Sequence, residues 1–383
     1  MAKRILLGTV ALILLAPLLM WLAWFFTPKK TLVVAIIDKT VLTTSGQEHI
    51  SLNWVLNHER YTKTSSESYK IDRDYFGFFP LNNEQFKVKG LEQFTSSQLK
   101  QLSSDADLVY FTDTYGIFNN EWYIGKNINE RSGMLYGGLS NRDIELLELM
   151  KARKKLIIAE FNTIGSPTDS INRSRFEGNF GVRWTGWTGR FFDKLDTALN
   201  KEIPLWLINN YKKSHDNKWP FKKAGIAFVS ITDEVIILED DTHLGDPLPH
   251  IISNSYGQQN LSLPAKIKYP FWFDILMIDS RINKEAATFK IDANANGLEE
   301  LRKSGIPASF PAVTYHKRND YTFYYFSGDF CDNPVPIITS HFKGISLFKA
   351  MFYNESDPVE RSSFFWNFYR PMMTNILKEA KRN

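Results

Sequence analysis

Three short runs, Leu32–Asp38, Leu108–Asp113 and Leu156–Glu160, are almost wholly apolar, and each ends in an acid. A run of that length without alternation predicts a strand buried on both faces, as in a parallel sheet. Between the runs the spacing turns helical. Ile50, Trp54, Val55 and His58 share one side of the stretch Glu48 to Arg60. Ser140, with Asp143 three residues on, marks the start of a helix reaching about Ala152. Strands alternating with helices predict an α/β fold built on a doubly wound, mostly parallel sheet. Further on, Ala224–Ser230 and Val235–Leu238 suit a hairpin, and Asp241–Tyr269, rich in Pro, Gly and Asn, reads as a long loop. An irregular insertion is therefore expected near 200–270. Regularity returns at Phe271–Ile278, with a helix near Gly297–Ser304 and strands at Ser309–Tyr315 and Tyr321–Phe326. A final helix, about Val359 to Lys381, carries Phe364, Phe365, Trp366, Phe368 and Tyr369.

The first 30 residues follow neither pattern. Ile5 to Phe26 is apolar except for Gly8, Thr9 and Pro17. At a helical rise of about 1.5 Å per residue the run reaches about 33 Å, enough to cross a hydrocarbon core of roughly 30 Å. A cleaved signal peptide would have a shorter apolar core and an A-x-A-like end. This run ends instead in Trp21, Trp24, Phe25 and Phe26, residues suited to a membrane interface. Residues 1–30 are thus expected to anchor a domain spanning 31–383, with residues 5–26 in the membrane. Lys3 and Arg4 are nearly balanced by Lys29, Lys30 and Lys39, so charge bias says little about orientation. The short tail suits a signal anchor, a single pass of the inner (cytoplasmic) membrane with the domain extracytoplasmic.

Charge changes the picture in one respect. The chain has 46 basic and 42 acidic residues, and residues 1–30 hold four of the basic and none of the acidic. The remainder is balanced at 42 each, and this bulk neutrality gives nucleic-acid binding no support. The single cysteine, Cys331, allows neither an intrachain disulfide nor a cysteine zinc site within one chain.

The segments Leu32–Val41, Asp105–Gly116, Tyr136–Ser140 and Leu156–Asp169 resemble class I glutamine amidotransferase-like domains. Arg183–Arg190 and Tyr324–Asp329 resemble a membrane-anchored bacterial branch of that group. The resemblance implies a flavodoxin-like three-layer sandwich. Working members carry a nucleophilic Cys in a tight turn after a central strand and a His-x-Glu pair after a late one. Here the turn reads Glu160-Phe161-Asn162-Thr163-Ile164-Gly165, no His-x-Glu occurs, and the late strand leads into Gly328-Asp329-Phe330. Thiolate attack needs both a sulfur and an activating base, so glutamine hydrolysis by that route is not expected. Cys331 reads as an inert small residue.

In open α/β sheets ligands sit at the carboxyl ends of strands. That singles out Asp38, Asp113, Glu160, Asn162 with its neighbour Thr163, and Asp329. Converging carboxylates there, Asp113, Glu160 and Asp329 above all, suit acid–base chemistry or a hard cation. Each taken alone equally suits a helix cap or a turn. Arg183, Trp184, Trp187 and Arg190 make an aromatic and cationic segment suited to sugar stacking or anion binding, or else a structural turn with tryptophans in the core. Glu239, Asp240 and Asp241, with His243 and Asp246, would point to alternate faces of a strand, so no metal site is expected there. No cofactor is expected.

Three functions fit. One is a catalytically degenerate amidotransferase-like domain that binds a glycan-like ligand or a protein partner in the cell envelope. The second is a carboxylate-based hydrolase on the same fold. The third is a cytoplasm-facing scaffold of a membrane assembly, using the aromatic terminal helix.

Overall fold

A computed structural model describes residues 15–44, 47–123 and 132–380. Fourteen of its strands are used below. They are β1 (Val34–Asp38), β2 (Phe76–Pro80), β3 (Phe86–Val88), β4 (Leu108–Asp113), β5 (Leu156–Glu160), β6 (Val182–Phe192) and β7 (Gly225–Ser230). The others are β8 (Val235–Glu239), β9 (Leu244–Ser253), β10 (Lys266–Lys268), β11 (Phe273–Ile278), β12 (Lys284–Ala293), β13 (Ser309–Lys317) and β14 (Thr322–Phe326).

Ten of them form one sheet in the order β10-β9-β12-β13-β14-β5-β4-β1-β2-β3. Its centre, from β14 to β2, is parallel, and its two ends are antiparallel. The expectation of a mostly parallel sheet is corrected to that extent. Within the antiparallel wing, Lys284–Ala293 buries chiefly one face, as antiparallel pairing allows, while Ser309–Lys317, next to the parallel centre, is buried on both. β8-β7-β6-β11 form a second, antiparallel sheet of four strands.

The central strands are buried on both faces because each divides its side chains between two cores. Val34, Ile36, Leu108, Tyr110, Leu156 and Ile158 join one. Ala35, Ile37, Val109, Phe111, Ile157 and Ala159 join the other. Helices Ser96–Asp105, Asn141–Ala152 and Ser170–Phe180 supply Leu99, Leu147 and Phe176 to the second core. Helices Ile50–His58 and Arg370–Ala380 supply Trp54 and Met373 to the first. Ser140 and Asp143 form the expected capping box.

The stretch 200–270 is not the irregular insertion expected. It holds the helix Leu205–Ser214, the β7–β8 hairpin, β9, a short helix Ser255–Leu261 and β10. Pro247 and Pro249 hide β9 in the sequence, and the pairing of β9 with β12 is irregular between Asp246 and His250. A bulge is where a strand admits proline. The terminal helix is also interrupted: Phe365–Tyr369 form one π-helical turn between Ser362–Phe364 and Arg370–Ala380.

Residues 5–14 of the expected anchor lie outside the described residues. Residues 15–25 are helical, and among the described residues no helix is long and apolar enough to cross a membrane.

Candidate active site at the carboxyl edge of the sheet

β1, β4, β5 and β14 are mutually parallel neighbours, so their carboxyl ends share one edge. Asp38 and Asp113 are partners in the β1–β4 ladder. The register shifts there by one residue, from Ile37 opposite Phe111 to Asp38 opposite Asp113. The extra residue, Thr112, is a bulge, and a bulge re-aims the side chain that follows it. Strict alternation would send Asp113 to the other face; the bulge brings it beside Asp38.

Asp38 lies against His49 Nδ1 and accepts a hydrogen bond from the Thr40 amide at 3.1 Å. Asp113 accepts from the Thr40 hydroxyl at 2.8 Å. Glu160 has no exposed surface and both oxygens engaged, by the Tyr110 hydroxyl at 2.7 Å and the Cys331 amide at 3.2 Å. Asp329 follows β14 and Asp332 lies one turn on. Arg361, just before the terminal helix, donates to Asp332 at 2.7 Å and to Asp329 at 3.1 Å. Arg361 also forms part of the wall of an open depression of about 650 Å³ beside Tyr353 and Glu360.

Glu48, in the 3₁₀ turn that opens the helix after β1, completes the group. Carboxylate oxygens of Glu48, Asp329 and Asp332 lie within 4.8 Å of one another. Such a set suits a hard cation, and equally an acid–base pair. The crowding has a measurable consequence. Burial pushes the Glu48 carboxyl well above the usual range, and Asp332, Asp329, Asp113 and Asp38 push it further. Asp113 and Glu160 are raised by burial and then by Asp329. Asp329 is lifted to about 7 by burial and Asp332, against the opposing pull of Arg361. Burial alone would lower the Arg361 pKa, but Asp332 and Asp329 raise it, so the guanidinium stays charged.

Asn162 stands at the tight turn after β5 with φ 64°, a left-handed conformation that asparagine tolerates better than most residues. Strained strand-to-helix turns of this kind carry nucleophiles in other α/β enzymes. Here the side chain is an amide, 3.4 Å from Asp113. Asp274, wholly buried on β11, holds the turn by accepting from the Asn162 backbone N–H at 3.1 Å and the Thr188 hydroxyl at 2.8 Å. Burial lifts its pKa to about 7. Thr163 is buried beneath the turn. Cys331 is buried as well, and burial followed by Glu160 pushes its thiol far up, which disfavours the nucleophilic thiolate.

The fold thus brings Asp38, Asp113, Glu160, Asn162 and Asp329 together. Arg190 approaches the same group; its guanidinium feels Arg361 and Asp329, pairs with Glu202 at 2.9 Å and lies over Phe192. Trp184 and Trp187 are buried, with the Trp184 indole donating to the Trp187 carbonyl at 2.8 Å, and Arg183 points to Met277 on an exposed flank. Sequence reasoning missed Glu48, His49, Asp332, Arg361 and Asp274. Asp274 had a usable signal, a lone acid inside the apolar run Phe271–Ile278. The Asp329-x-x-Asp332 spacing was a weaker one.

No family model and no curated protein matches the chain. Among solved structures it is similar to a ThuA-like protein from Bacteroides uniformis, with 9% identity and a TM-score of 0.36 over 82% of this chain and 89% of that one. A ThuA-like protein from Parabacteroides merdae shows 11% identity and a TM-score of 0.36 over 78% and 79%. A beta-galactosidase from Bacillus circulans sp. alkalophilus shows 11% identity and a TM-score of 0.30 over 82% of this chain and 32% of that one. Overlaps this loose carry no argument about activity.

Proposed function

We propose that the chain is a carboxylate-based hydrolase of a neutral or cationic, glycan-like substrate, held at the cytoplasmic membrane with its domain outside the cytoplasm. The observation that supports this reading is the convergence of the Glu48, Asp329 and Asp332 carboxylates within 4.8 Å at one strand edge, with Arg361 bonded to two of them. Groups pushed apart in proton affinity within one cleft supply an acid and a base at the same pH. Glu48 is the proton donor to the leaving oxygen. Asp329, ionising near 7 beside Arg361, takes the proton from the attacking water. Asp38, unexposed and engaged by His49 and the Thr40 amide, orders the strand end beside Asp113. Glu160, fully engaged and unexposed, supports the Cys331 turn instead of reacting.

The test is turnover of neutral and amino-sugar oligosaccharides by the full chain in detergent. Glu48→Gln and Asp329→Asn should each lower kcat by about 10²-fold or more with folding intact, and the wild-type rate should rise as pH passes about 7. Undiminished turnover in either variant would sink the assignment.

Asn162 favours a second reading. A nucleophile-type turn retained with an inert amide suits a degenerate domain that binds a glycan or an envelope protein without chemistry. Ligand binding by the wild type with no turnover would select it.

A further inference from the structure

The segment Ile337–Met351, two 3₁₀ turns separated by Phe342–Gly344, is anchored to the domain from beneath and apolar on its outside. The Trp54 indole donates to Thr339 at 2.8 Å, and His58 Nδ1 meets the Ser340 carbonyl at 3.0 Å. Yet Leu347 is 86% exposed, Met351 80% and Ile338 64%. Large apolar side chains this exposed on a well-held segment mark a contact surface.

What covers it is indicated by its neighbour and its charge. The Lys343 amide donates to the Met20 carbonyl at 3.1 Å, and the His341 ring lies 4.5 Å from that of Trp24. The segment therefore abuts the helix 15–25, the end of the apolar run Ile5–Phe26, whose Leu18, Leu19 and Phe26 are also exposed. Between Ile337 and Phe352 there is no acid, and the charged side chains are Lys343, paired with Glu59 at 3.5 Å, and Lys349, bonded to Asn367 at 2.6 Å; residues 1–30 contain no acid either. Exposed apolar residues flanked by lysines suit the boundary between headgroups and acyl chains of an anionic bilayer.

We propose that Ile337–Met351 is a second membrane contact. Ile338, Leu347 and Met351 enter the lipid interface beside the N-terminal helix and hold the domain against the membrane surface. The inference rests on the membrane-anchor reading, and the experiment separates the two. Single cysteines at Leu347, Met351, Leu18 and, as a control on the helix Ala295–Lys303, Lys303 are labelled with an environment-sensitive fluorophore; Cys331 is buried and stays unlabelled. The full chain is reconstituted in vesicles of phosphatidylcholine and phosphatidylglycerol carrying acyl-chain nitroxides. The labels at 347 and 351 are expected to be quenched ~2-fold or more beyond the control, as interfacial burial requires. Quenching at 18 with control-level signal at 347 and 351 overturns the second contact and keeps the anchor. A blue shift at 347 without lipid quenching means that a protein surface or a second copy covers the segment, and also overturns it. No quenching at any position overturns both.

Discussion

Asp274 shows most simply what one buried carboxyl does. Its pKa is raised from 3.8 to about 7 by burial, so the folded chain holds this proton more tightly than the unfolded chain does. Protonation therefore favours the fold. The contribution is complete below about pH 4, falls as pH rises, and is gone above about pH 7. A displacement of that size corresponds to on the order of 4 kcal/mol. Asp274→Asn should flatten the decline of thermal stability between about pH 4 and pH 7, and an unchanged slope would show that Asp274 does not titrate in that window. Asp329 adds to the same decline, with Arg361 opposing it. That Asp38, Asp113, Glu160 and Asp329 sit at strand ends was legible in the sequence, since each closes or follows an apolar run. That Glu48, Asp332 and Arg361 join them was not, because those residues arrive from helices and turns whose placement depends on packing.

At the scale of elements, the helix Ile50–His58 decides whether Glu48 and His49 face the strand ends. Trp54 fixes that helix: it has no exposed surface and lies 5.1 Å and 5.3 Å, ring to ring, from Phe365 and Trp366 of the terminal π-turn. Trp54→Ala should cost about 3–5 kcal/mol in urea unfolding, the usual penalty for emptying so large a buried site. A loss under about 1 kcal/mol would mean that the helix is held by other contacts. The aromatic terminal segment was readable as a helix from its sequence, its rings suiting either the core or a partner surface; the fold places them in the core. Its π-helical turn was not readable, nor was β9. In β9 two prolines suggested a loop by local propensity, and pairing to β10 and β12 overrode them.

At the scale of the molecule, the proposed anchor carries a prediction about which side of a membrane the site faces. Paired reporters fused after Asn383, one active only outside the cytoplasm and one only inside, answer it. Activity of the external reporter is the expected result; activity of the internal one would remove envelope glycans from consideration and revive the scaffold reading. An exported site would meet the neutral and amino sugars of the envelope.

Taken by itself, the sequence determined the features that depend on neighbours along the chain. These are the apolar runs that become central strands, the Ser140 cap, the missing Cys and His-x-Glu, and the acids at strand ends. Periodicity and capping are local properties, so they survive in one dimension. Tertiary structure alone decided the antiparallel wing, the bulge at Thr112 that turns Asp113 toward Asp38, and the arrival of Glu48, Asp332 and Arg361. It also decided that Trp184 and Trp187 are buried. Register, burial and proton affinity arise from contacts between residues tens to hundreds of positions apart. A carboxyl is lifted toward neutrality only when the fold dries it and sets other acids beside it.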